Sequence, residues 1–171
     1  MIKLNDERKI ILGIDPGIER VGLAIIKVLP NNKKKETVIY SECFMTDKKM
    51  ETHKRLALIY KKIQEIIKKY SPIIVAIEHI FFSVNQKTAI VVAEARGVIL
   101  ASAGVNNLEI IELTPNEIKQ SVTGYGKATK ADIIKMIPKI VDLPTKSLQD
   151  DEIDAIAIAL SASSRLRYQQ V

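Results

Sequence analysis

Apolar residues recur along this chain with two periods, and the switch between them outlines a fold. Ile10-Ile11-Leu12-Gly13-Ile14 is a short β-branched run closed by Asp15-Pro16-Gly17, a turn signal. Residues 21–28, with Gly22 and Ala24 inside them, predict a second strand, and residues 37–44 a third. Between those two, Pro30, Asn31, Asn32, Lys33, Lys34 and Lys35 read as a solvated hairpin tip. From residue 50 to 70 the spacing turns helical. Leu56, Ile59, Tyr60, Ile63, Ile66 and Ile67 mark one face, lysines mark the other, and Pro72 closes the element. Residues 73–77 are unbroken apolar, the pattern of a strand covered on both sides, and they end at Glu78.

The second half continues the alternation. Residues 88–103 predict a helix rich in small side chains: Ala89, Ala93, Ala95, Gly97, Ala101 and Ala103. Residues 108–113 predict another strand. Thr114-Pro115-Asn116-Glu117 then starts a helix, with threonine as cap, proline at the first helical position and an acid three residues after the cap. A glycine-flanked loop, Gly124-Tyr125-Gly126-Lys127, leads to a short helix over 130–137, and a last helix covers 150–168. The whole describes a mixed β-sheet flanked by α-helices. It is an α/β fold in a single domain spanning residues 1–171, with 1–8 and 165–171 as fraying ends. In such sheets ligands gather beyond the strand ends. Asp15 and Glu78 stand at the carboxyl ends of two expected central strands, so neighbouring strands would set them side by side.

Composition narrows the setting. A formal charge of +6 favours a polyanionic partner, although a lysine-rich surface alone explains it equally well. The single cysteine, Cys43, excludes an internal disulfide and a cysteine-based zinc cage, and fits a reduced, cytoplasmic environment. No stretch approaches the ~20 apolar residues of a membrane span, and the polar start does not match a secretory signal, so no membrane partner is expected.

The chemistry concentrates in acids that interrupt apolar runs. Asp15 has an ordinary alternative reading, because Asp-Pro-Gly is turn chemistry. Glu78 has a weaker one, since glutamate has little strand propensity and here follows five apolar residues. His79 beside it is either a ligand or a hydrogen-bonded strand-end histidine. In Asp150-Asp151-Glu152-Ile153-Asp154 the helix dipole and capping account for Asp150 and Glu152. They account poorly for Asp154, which lies inside the apolar stretch. Asp151 and Asp154 are three apart and share a helix face. Four carboxylates at the core edge are costly without a cation, and divalent metals held by carboxylates cut phosphodiesters. Other chemistries fit less well. Gly124 to Lys130 departs from a phosphate-binding loop at Ser121 and Ala128; His53 and His79 with one cysteine make no usual zinc site; no Gly-x-Ser-x-Gly elbow occurs.

Four segments carry a family resemblance: Ile11-Leu12-Gly13-Ile14-Asp15-Pro16-Gly17, Ala76-Ile77-Glu78-His79-Ile80-Phe81, Glu94-Ala95-Arg96-Gly97, and Asp151-Glu152-Ile153-Asp154-Ala155-Ile156-Ala157-Ile158-Ala159. In order and spacing they resemble the RuvC family of bacterial Holliday-junction resolvases, over about residues 9–163. The first motif is shared with related nucleases and sugar-kinase-like ATPases; the four together are specific. The resemblance implies a ribonuclease-H-like fold, a homodimer, and paired symmetric nicking of four-way junction DNA with two Mg²⁺ per site, for which Mn²⁺ substitutes. It implies 5′-phosphate and 3′-hydroxyl products, and a branch-migration motor as a further partner. By the same resemblance Asp15, Glu78, Asp151 and Asp154 are the catalytic, metal-holding acids. Lys119 and Lys130 are the active-site lysines, and Phe81 stacks on an unpaired base at the crossover; Lys127, an extra lysine beside Lys130, is a further candidate for DNA binding. The rival readings are a related nuclease acting on RNA or non-junction DNA, an ATP-dependent kinase, and a non-catalytic DNA-binding module. The kinase would need glycine-rich phosphate loops that the chain lacks, and four retained acids argue against the non-catalytic module.

Overall fold

The computed structural model describes residues 9–28, 36–79 and 86–168. Among them, six strands form one sheet. Strands β1 (Lys9–Asp15), β2 (Arg20–Val28) and β3 (Glu36–Met45) run as an antiparallel meander. Helix α1 (Thr52–Tyr70) crosses over to β4 (Ile74–Glu78), which pairs parallel with β1. Helix α2 (Gln86–Val105) then leads to β5 (Glu109–Leu113), parallel to β4 at one edge. Helices α3 (Pro115–Thr123) and α4 (Lys130–Ile140), a two-residue strand β6 (Val141–Asp142) and helix α5 (Asp150–Tyr168) complete the order. The strands lie β5-β4-β1-β2-β3-β6, so the mixed α/β sheet expected from the pattern is present and β1 and β4 are adjacent and central.

Strand alternation sorts residues onto two faces. Leu12, Ile14, Leu23, Ile25, Val75 and Ile77 pack against Ile59, Ile63 and Ile66 of α1 and Ile99 of α2. The opposite face, with Ile11, Ala24, Ile74 and Ala76, packs against α5 through Ala155, Ile156 and Ala159. By the same parity Asp15 and Glu78 belong to the α5 face. There the spacing is set by small residues: a Cβ at Gly13 would stand 2.3 Å from the Ala155 carbonyl oxygen, and one at Gly22 2.1 Å from that of Asp151. Only glycine lets the helix backbone settle this close.

The ends of elements follow the local chemistry. Thr114 and Glu117 form the expected capping box at α3, and Thr129 with Asp132 repeats it at α4. Helix α1 stops at Ser71, which adopts a left-handed conformation (φ 47°) just before Pro72. The last helix runs to Tyr168, as the pattern predicts, and buries Leu166 against the core. One expectation changes. Helix α4 passes through Pro138 to Ile140 instead of stopping at 137, because the proline falls in the last turn and forfeits one backbone bond there.

Candidate active site

The register Ile14↔Ile77 between parallel β1 and β4 brings the next residues, Asp15 and Glu78, to the same end of the sheet. The first turns of α5 arrive over that end, and α3 and α4 flank it. The result is a cleft of ≈ 240 Å³ lined by Asp15, Glu78, Lys119, Lys130 and Asp154, with Ile118, Ile133 and Ala157 as apolar walls. Three of the four acids and both expected lysines therefore share one cavity.

Their electrostatics report the crowding. The Asp15 carboxyl is pushed up to about 7, first by burial and then by the charges of Asp154, Glu78 and Asp151, with Lys130 opposing. Glu78 is raised as well, by burial and then Asp154, with Lys119 opposing. Lys130 Nζ lies 2.8 Å from Asp154 Oδ2 and 3.6 Å from Asp150 Oδ2. Partial desolvation works against the Lys130 charge, but its bond to Asp154 and the acids around it raise its pKa overall.

Asp151 diverges from its helix neighbour. It points to the β2–β3 side, where Arg20 Nε donates to Oδ2 at 2.9 Å, Arg20 Nη2 reaches the same oxygen, and Cys43 Sγ lies 3.6 Å from it. Partial burial opposes ionisation, yet the Arg20 guanidinium, together with a backbone N–H and Cys43, more than offsets this and holds Asp151 below the usual carboxylate range. Among the described residues, no three carboxylate, imidazole or thiol groups stand as a ready-made ion cage. Arg20 holds one acid and Lys130 another. The donor set nevertheless fits a hard divalent cation: three carboxylates line the cleft with Asp151 beside it, and Asp15, destabilised by burial and by the other three charges, is one that a positive ion would relieve.

The remaining sequence expectations fall variously. Glu152 is a structural acid: it is buried, accepts from the Gln149 backbone N–H at 2.9 Å and pairs with Lys146. Lys127 is exposed in the loop before α4 and does not line the cleft. His53 is exposed on α1, while the His79 backbone N–H extends the sheet by donating to Leu113 at 2.8 Å. Phe81, Phe82 and the lysines 33–35 lie outside the described residues. Sequence reasoning missed Arg20, Cys43 and Arg96. Arg96 Nε lies 3.5 Å from the Glu78 carbonyl oxygen, and its guanidinium pairs with Glu112. Arg96 falls inside one of the four resembling segments, but nothing local marks its contacts or those of Arg20 and Cys43, because each acts across the fold.

A mixed sheet in this order, with carboxylates at the ends of two parallel central strands and on the last helix, defines a ribonuclease-H-like domain of the nuclease type. The family model for crossover junction endodeoxyribonuclease RuvC matches residues 11–162, and the chain belongs to that family. A RuvC of Brachyspira hyodysenteriae is 46% identical over 92% of this chain and 96% of the relative, and one of Alkaliphilus metalliredigens is 41% identical over 95% and 97%. The structure of Thermus thermophilus RuvC superposes with a TM-score of 0.86 at 28% identity, covering 94% of this chain and 96% of the other. RuvC of that organism in complex with a Holliday junction substrate gives 0.87 at 27%, with the same coverage.

Proposed function

We propose that this chain, acting as one nuclease domain, is a structure-selective endodeoxyribonuclease that resolves four-way DNA junctions by paired, symmetric nicks in the cytoplasm. The observation that carries the reading is the convergence of Asp15, Glu78 and Asp154 with Lys119 and Lys130 in one cleft. Membership of the RuvC family and the likeness to a junction-bound relative support the substrate.

Asp15, Glu78, Asp151 and Asp154 are the residues that would hold two Mg²⁺, or Mn²⁺ in their place. Bound there, such ions supply a nucleophilic water at neutral pH and offset charge on the leaving 3′ oxygen, which gives 5′-phosphate and 3′-hydroxyl ends. The protein's own part is positioning. The parallel strands hold Asp15 and Glu78 rigidly, and α5 brings Asp154 over them. Lys130 exchanges its Asp154 contact for a phosphate oxygen of the incoming strand, and Lys119 neutralises charge on the same group. Lys127, exposed in the loop before α4, binds a neighbouring phosphate, so affinity falls steeply with salt. Phe81, close after Glu78 in the chain, stacks on a base exposed at the junction centre.

Two active sites are needed for paired nicks, and α2 is the proposed dimer surface. Its inner side buries Ala95, Ile99 and Ala103, while Ile90 and Val105 are exposed. A Cβ at Gly97 or Gly104 would meet nothing within 4 Å, so packing within this protomer does not require small residues there. A branch-migration motor is the expected further partner.

The test is a comparison of cleavage on a synthetic four-way junction, a linear duplex of the same sequence and a structured RNA, each with Mg²⁺. Symmetric nicking of the junction alone is expected. Equal cutting of duplex or RNA would favour a broader ribonuclease-H-like nuclease. Phe81→Ala should impair junction cutting more than duplex affinity, and an equal loss on both would remove stacking from the mechanism.

A further inference from the structure

Arg20 takes no part in the cleft chemistry, yet it makes a directed polar contact with one of the four acids. The residue opens β2, two positions before Gly22, the cross-strand partner of Asp15. Its Nε and Nη2 both converge on Oδ2 of Asp151, and Nη2 also donates to Gln149 Oε1 at 3.1 Å. Cys43 Sγ approaches that same carboxylate oxygen at 3.6 Å. Gly22 meanwhile lets the Asp151 backbone lie against β2. Both the main chain and one oxygen of this acid are thus fixed from β2, and Oδ1 receives neither guanidinium contact.

We propose that Arg20 is a positioning residue for Asp151: it anchors the carboxylate through Oδ2 and presents Oδ1 to a divalent cation. The inference rests on the reading of the four acids as metal ligands. Partners that bond to a ligand group fix its orientation, and their loss typically costs 10–100-fold in metal affinity or activity. A planar guanidinium fork suits this task better than a lysine, whose ammonium is a flexible point charge. The Arg20 side chain is 42% exposed and that of Asp151 21%, and ion pairs open to solvent add little to stability, so the value of this pair lies in geometry.

The experiment measures Mn²⁺ binding to the DNA-free protein by electron paramagnetic resonance. It compares wild type, Arg20→Ala, Arg20→Lys, Asp151→Asn, the Arg20→Ala/Asp151→Asn double variant and Asp15→Asn, with thermal melting of each. Arg20→Ala should weaken binding about 10–100-fold at a nearly unchanged melting temperature. Arg20→Lys should fall between it and wild type, and it serves as the variant if alanine disturbs folding. Arg20→Ala should cause no further loss once Asp151 is already asparagine, an outcome a merely structural residue would not give. Unchanged or tighter Mn²⁺ binding in Arg20→Ala, or an additive loss in the double variant, overturns the role of Arg20 while Asp15→Asn still reports a carboxylate metal site. If Asp15→Asn binds Mn²⁺ as well as wild type does, or wild type binds none, the metal-site reading fails and the inference fails with it.

Discussion

The two faces of the sheet use the same strands for opposite ends. Toward α1 and α2 the strands present large aliphatics, and bulk fills the layer: Leu12, Ile14, Leu23 and Ile25 against Ile59, Ile63 and Ile66. Toward α5 they present Gly13, Gly22, Ala24 and Ala76 against Ala155 and Ala159, so that backbones approach where side chains are missing. Both faces supply apolar burial. The second also controls a distance. Asp15 and Glu78 are the last residues pointing to the thin face, and the α5 turn that arrives there carries Asp151 and Asp154. Burial, and after it the crowding of charge, is the consequence: Asp15 is pushed up to about 7 where it would otherwise ionise near 3.8.

The contrast can be broken most sharply at the acids. Asp154→Asn should retain junction binding and lose about 100-fold or more of cleavage, read in a single-turnover assay with Mg²⁺, on the scale of removing one preorganised electrostatic group. Normal nicking by that variant would take Asp154 out of the mechanism. Next comes the glycine seam. Gly22→Ala places a methyl carbon 2.1 Å from the Asp151 carbonyl oxygen, so α5 must move; a loss of about 1–3 kcal/mol in denaturant unfolding, with impaired cleavage, is expected. Ile63→Val on the thick face should cost about 0.5–1.5 kcal/mol and leave cleavage intact. If both variants affect cleavage alike, the division of labour between the faces is wrong.

A pH experiment sharpens the same comparison. The folded Asp15 carboxyl binds its proton more tightly than the unfolded one, so its contribution to stability is full below about pH 4, declines as pH rises, and is lost above about 7. In the metal-free protein, Asp15→Asn should therefore raise the melting temperature at pH 8, by ~2–4 °C for each kcal/mol relieved, with the gain vanishing toward pH 4. A gain independent of pH would show that packing, not charge, is responsible. An effect as small as that of Ile63→Val is expected at α3: Thr114→Ala removes the capping box and should cost about 1 kcal/mol, measured by thermal melting, with little change in cleavage.

Much of this was legible along the chain. Continuous apolar runs marked β1 and β4, a single stripe marked α1, and Thr114-Pro115-Asn116-Glu117 marked the start of α3, because each signal is contained within a few residues. The interruption of those runs by Asp15, Glu78 and Asp154 identified residues now found in one cleft. Strand β6 was not legible, since two residues define no period and its pairing with Glu36 and Thr37 is made across the fold. The shared helix face of Asp151 and Asp154 gave no hint that one would turn to Arg20 and the other to Lys130.

The amino-acid order alone determined which segments are strands and helices, which acids are too costly to bury unaccompanied, and which family the chain resembles. Those properties depend on local periodicity and on residue chemistry. Only the tertiary structure decided that β1 and β4 are neighbours, that glycine in β1 and β2 lets α5 lie against them, and that a guanidinium from β2 holds Asp151. These are distances between segments up to 131 positions apart, and spacing along a chain does not encode them until the segments pack.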